Sequence, residues 1–143
     1  MAVTRQDPTG LIAARAPRVV QITGVFTLGT GAASLFSWQN PESSPVLISY
    51  LVHVSTAGSA GDSVTIGVVG TAAAAGTNMA NSLGITVAGT VINGMSLGTG
   101  FQMLAEKGGT NDYVTGKVNS AGTGPSGTAA ADIYLVYWPT VYS

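Results

Sequence analysis

Residues Val46–Thr56 read VLISYLVHVST. Val46, Ile48, Tyr50, Val52 and Val54 fall on one side of an extended chain, and Leu47, Ser49, Leu51, His53 and Ser55 on the other. A strand alternates its side chains with period two, whereas an amphipathic helix spaces its apolar positions by three and four. The stretch is therefore predicted to be a strand, with its first set of residues facing a core.

Punctuation on both sides extends that reading. Upstream, residues 39–45 (QNPESSP) form a loop, 34–38 (SLFSW) a short strand, and 19–28 (VVQITGVFTL) another, stopped by Gly29 and Gly31. Downstream, Gly58 and Gly61 mark a turn, and Val64, Ile66 and Val68 resume the alternation, which predicts a hairpin with 46–56. In residues 71–83 (TAAAAGTNMANSL) the alanines favour helix, while Gly76, Thr77 and Asn78 oppose it, so a loop with one helical turn is expected. Residues 85–92, broken by Gly89, and residues 101–105, 113–118 and 132–138 read as further strands, with a Gly/Ser/Thr loop at 119–128. About eight short strands with turns between them predict an all-β, two-sheet sandwich. A jelly-roll-like path is the leading topology and an immunoglobulin-like one the second.

Residues 1–18 differ from the rest. They hold Arg5, Arg15 and Arg18, three of the five basic residues, and Pro8, Gly10 and Pro17 break any regular element. They are expected to form an extended arm, reaching at most roughly 60 Å, ahead of a single domain at 19–143. Arg5, Leu11, Ile12, Arg15 and Arg18 are its candidate partner-binding residues. Trp138 and Tyr142 are candidates for a subunit interface, because the chain closes on apolar groups just past its last predicted strand.

Composition narrows the function. The 143 residues suit one domain. Only 8% are charged, against about 25% in ordinary soluble domains, while 45% are hydrophobic. The surface must then be built largely from small and uncharged residues, which cost little to order against a neighbour. With no cysteine, disulfides, thiolate nucleophiles and zinc–sulfur sites are excluded, which fits assembly in a reducing cytoplasm. A net charge of −1 argues against nucleic-acid binding. No apolar stretch approaches the roughly 20 residues of a membrane-spanning helix, and no leader peptide is read at the start.

Catalytic chemistry finds little to work with. His53 is the one histidine, and no acid or base has a sequence spacing that would pair with it. Asp7, Glu42, Asp62, Glu106, Asp112 and Asp132 are scattered among turns and strand ends, where Asp62 and Asp112 are expected to bond turn amides. Gly122, Gly124 and Gly127 match a GxGxxG pattern, but Pro125 interrupts it and a strand rather than a helix follows. No enzyme, no cofactor and no metal site is expected.

Two short segments carry a resemblance. Leu35-Phe36-Ser37-Trp38-Gln39-Asn40-Pro41-Glu42, followed by a long strand and a Gly/Ala-rich middle, and then Asn111-Asp112-Tyr113-Val114-Thr115-Gly116, resemble small capsid-associated structural proteins of tailed bacteriophages. The resemblance implies a decoration or cement protein on the virion surface, made in the host cytoplasm. It would bind the major capsid protein and form a homo-oligomer, with a trimer favoured. The alternatives are a receptor- or glycan-binding module of a tail fibre or adhesin, and a shell-forming coat protein.

Overall fold

In the computed structural model of the protein, the residues described are 16–22, 35–58, 62–119 and 129–140. Among them nine strands follow in order: β1 (Arg18–Ile22), β2 (Leu35–Gln39), β3 (Val46–Thr56), β4 (Ser63–Val69), β5 (Ala80–Gly84), β6 (Val91–Asn93), β7 (Gln102–Leu104), β8 (Tyr113–Asn119) and β9 (Ala130–Pro139). The strand that opened the sequence reading keeps its predicted ends, and Val46, Ile48, Tyr50, Val52 and Val54 are all fully buried.

The strands form two antiparallel sheets. One runs β1-β9-β3-β6, with β7 also on β3; the other runs β2-β8-β4-β5. β6 pairs with residues 51–53 of β3, and β7 with residues 46–48. They are thus two halves of one edge strand, separated by an excursion at 94–101 that contains a 3₁₀ turn at Gly94–Ser96. Counted that way, each sheet has four strands. With β6 and β7 taken as one strand, the chain changes sheet at every step except from β4 to β5, and the last strand returns between the first and the third, which is the path of a jelly roll. The core lies between the sheets: Ile48, Tyr50, Val52, Ile133 and Leu135 from one meet Phe36, Val64, Ile66 and Val114 from the other.

Three expectations are corrected. β3 and β4 do not form a hairpin: β3 lies between β9 and β6/β7, and β4 between β8 and β5, so the chain crosses from one sheet to the other between them. Burial along β4 is nearly continuous, so it needs cover on both faces and partners on both edges. Residues 71–83 are loop only as far as Met79, with a single turn closed by Ala74 N–H on the Thr71 carbonyl (3.3 Å); the rest belongs to β5. Of residues 85–92, those before the expected break at Gly89 form no strand. Ile85 instead bonds through its backbone to Asp62 and Gly58, and Gly89, at φ +83°, turns the chain into β6.

The alanine-rich middle folds back over the outer face of β4 and β8. Gly76 donates its N–H to the Thr115 hydroxyl (3.0 Å), and the Asn78 side chain bonds both Val68 N–H and Val68 C=O, standing in for a missing strand neighbour. Backbone packs directly on backbone here. A Cβ on Gly67 would lie 2.5 Å from the Gly76 carbonyl carbon, with no flexible side-chain end able to yield. Gly67→Ala is expected to lower stability by about 1–3 kcal/mol through overpacking, measured as a shift of the urea midpoint at unchanged slope. Gly84→Ala, with open space around it, is the matched control.

The two segments that carried the resemblance are brought together at one end of the sandwich. β2 and β8 pair from Leu35 opposite Lys117 to Gln39 opposite Tyr113. Just past them, Asn40 donates from Nδ2 to the carbonyls of Ser44 (3.1 Å) and Ala105 (2.8 Å) and accepts from Glu42 N–H (2.9 Å). Asp112 Oδ2 accepts from Gln39 Nε2 (2.6 Å) and Gly108 N–H (2.8 Å). Both residues are buried, so their polar groups are satisfied inside the protein. Asp112 thus bonds a turn amide, as expected.

Those bonds, Gln39 first and Gly108 second, hold the Asp112 carboxyl below the ordinary carboxylate range. Because the folded value is depressed, the stabilisation is present above that range and is lost as pH falls through it. The unfolding midpoint is expected to drop below about pH 4. Asp112→Asn is expected to start less stable and to show a smaller drop, read by denaturant titration across pH.

Candidate functional site: the outer face of the first sheet

Residues opposite each other in an antiparallel ladder share a face. The buried set on β3 fixes the inner face, so Leu47, Ser49, Leu51 and His53 point outward. They are joined there by Asp132, Tyr134, Val136 and Trp138 of β9, Val19 and Gln21 of β1, Val91 and Asn93 of β6, and Met103 of β7. Most of these side chains are apolar. Val19 is 62% exposed, Val91 62% and Met103 52%, each large and solvent-facing.

The excursion at 94–101 lies over part of this face. Ser49 is buried beneath it and donates from Oγ to the Gly100 carbonyl (2.8 Å). Phe101 at its end packs against Trp138, ring centroids 5.8 Å apart and tilted by 38°. Leu47 lies opposite both Trp138 on β9 and Met103 on β7, so the aromatic pair and the thioether border one apolar patch. Leu97, in the excursion, is also exposed.

His53 and Asp132 are the charged or chargeable pair on this surface. They sit directly opposite each other in the β3–β9 register, with Nδ1 3.6 Å from Oδ2. That distance is beyond a hydrogen bond but within ion-pair range once the imidazole is protonated. So His53 does have an acid beside it, which spacing along the chain did not reveal. Further along the face, Gln21 Nε2 donates to the Tyr134 hydroxyl (3.3 Å).

The remaining candidates fall in different places. Arg5, Leu11, Ile12, Arg15 and Tyr142 lie outside the described residues. Arg18 begins β1, so it belongs to the sheet rather than preceding it. Its guanidinium donates to Glu42 Oε1, which also accepts from the Tyr137 hydroxyl (3.4 Å). Tyr137 and the Glu42 charge together raise the Arg18 pKa. The ring of Tyr137 also meets Trp38 at 5.2 Å, closing the seam between the sheets.

Among the described residues no three His, Asp or Glu side chains come together in a way that could hold a metal ion. Nor is any helix among them long and apolar enough to cross a membrane. No protein-family model, no curated protein and no solved structure matches the chain.

Proposed function

We propose that this chain is a non-catalytic virion structural protein that binds and stabilises the capsid of a tailed phage. Its sandwich would associate with other copies through the outer face of the first sheet. The observation that carries the reading is that face: large apolar side chains stand exposed on a sheet, in a chain with five basic and six acidic residues. Exposed apolar surface of this kind, on an otherwise small-residue exterior, marks an interaction site. Jelly rolls are recurrent in capsid and lectin domains, though fold alone does not assign function. The resemblance of residues 35–42 and 111–116 supplies the capsid and favours a trimer. Multivalent attachment would let modest contacts add up.

The arm would lie against the major capsid protein. Exchanging Arg5 and Arg15 for Glu in the full chain is expected to weaken co-sedimentation with phage heads and to leave the unfolding midpoint unchanged. Equal binding by the exchanged protein removes the arm from the proposal. The mass of the purified chain in solution tests the rest. An oligomer that co-sediments with heads supports it; a solitary monomer that binds no heads sinks it. The pairing of exposed Phe101 with half-buried Trp138 favours a second reading, a glycan-binding module. Hits on a glycan array, together with no binding to heads, would decide for that reading.

A further inference from the structure

Asn93 and Gly94 form the one Asn-Gly step in the chain, at the point where β6 gives way to the excursion. We propose that Asn93 is a site of spontaneous deamidation, held back in the folded protein by the excursion and released when the excursion opens. The inference does not depend on what the outer face binds.

The chemistry needs only this stretch of chain and water. The Gly94 amide nitrogen attacks Cγ of Asn93 and gives up its proton. The bond from Cγ to the side-chain nitrogen breaks, ammonia departs, and a five-membered imide remains. Water then opens the imide at either carbonyl, leaving aspartate or isoaspartate. The balance is asparagine plus water to acid plus ammonia, with no oxidant or reductant. Glycine is the follower that favours the attack, because no Cβ crowds its nitrogen. Packing requires the same residue here: Gly94 is buried, and a Cβ on it would lie 2.6 Å from the Tyr50 ring. Asn93 itself is exposed to water.

What holds the reaction back is geometry. Ring closure requires the Gly94 nitrogen to swing to the same side of the Cα–C bond as the Asn93 Cβ. At φ −99° and ψ 102° that nitrogen is turned away, and the ψ that would bring the two together lies outside the regions L-residues ordinarily occupy. The groups that must move are tied down. Ser96 Oγ donates to the Asn93 carbonyl (2.8 Å), which swings with that rotation. Met95 N–H donates to Asn93 Oδ1 (2.9 Å), on the group under attack. Asn93 is also in register with Leu51 of β3, and Ser49 holds the far end of the excursion through Gly100. Reactive geometry therefore requires local opening, whose free energy sets the fraction of time the site is available. The product places a new negative charge at the end of β6, on the face that carries Val91, and the isoaspartate form lengthens the backbone there. The site is thus a covalent record of how often the excursion has opened.

The test incubates the full chain in mildly alkaline buffer, folded and in urea. Fragment mass spectrometry locates the exchange of amide for acid, and enzymatic methylation detects isoaspartate. Conversion at Asn93 is expected in urea, and on the order of tenfold or more slower in the folded protein. Ser96→Ala, at an exposed position, removes the bond to the Asn93 carbonyl. It is expected to speed conversion in the folded protein about two- to fivefold and to leave the rate in urea unchanged. No conversion at Asn93 in urea would remove the site altogether. Equal rates in the two conditions would show that the fold does not restrain it. A folded Ser96→Ala protein that converts no faster than the wild type would overturn the role of the excursion.

Discussion

Tyr50→Ala is expected to destabilise the protein by about 3–5 kcal/mol, the range for removing a large aromatic side chain from a packed core. Tyr50 is fully buried in the middle of β3 and counts among the largest side chains of the core. Its ring also lies against the backbone of the edge excursion: a Cβ on Gly94 would come within 2.6 Å of it. Truncation would open a cavity and undercut the segment joining β6 to β7. A domain of this size has on the order of 5–15 kcal/mol of stability in all, so a large part of it would be lost. Tyr50→Phe separates packing from hydrogen bonding. The hydroxyl donates to the Met79 carbonyl over 3.5 Å, a long bond, so its removal is expected to cost about 1 kcal/mol or less. Urea unfolding of both variants checks the order. Equal losses would show that the hydroxyl, not the ring, carries the contribution.

Asn40→Ala is expected to cost about 2–4 kcal/mol. Asn40 is fully buried, and its amide makes three hydrogen bonds that tie the loop after β2 to the chain before β8. An alanine would leave Glu42 N–H and two carbonyls without that partner, and unmade buried bonds cost more than made ones contribute. Asn40→Asp keeps the shape and removes the donors, pointing a carboxylate at the Ser44 and Ala105 carbonyls. It should be at least as damaging. If Asn40→Asp is tolerated and Asn40→Ala is not, shape rather than donor chemistry holds this end together.

How far these features could be read in advance depends on how local their causes are. β3, β8 and β9 are legible because β-branched and aromatic residues alternate over a full strand length, and their observed ends agree with the pattern to within a residue or two. β5 is not: its sequence, ANSLG, has no strand preference, and it is extended because it pairs with β4. The crossing between β3 and β4 has the same glycine-marked turn as a hairpin, and only the partners waiting on either side distinguish the two. The site divides likewise. Leu47, Leu51 and His53 could be placed on one face from alternation alone, and Trp138 could be singled out as an apolar group near the chain's end. Asp132 could not be set beside His53, because their meeting depends on which strand pairs with which and in what register.

The broken edge strand has a consequence for how copies can meet. β6 and β7 are three residues each, with the excursion pushed out between them, so that border of the first sheet offers no long row of open amides and carbonyls. The far border of the second sheet is blunted too, by Ser82 at φ +59° and a slipped register against β4. Strand added to strand is discouraged at these two of the four sheet borders, which leaves β1 and β2 as the other two. Any ribbon-like growth of this weakly charged polypeptide would therefore have to start from β1 or β2, each only five residues long.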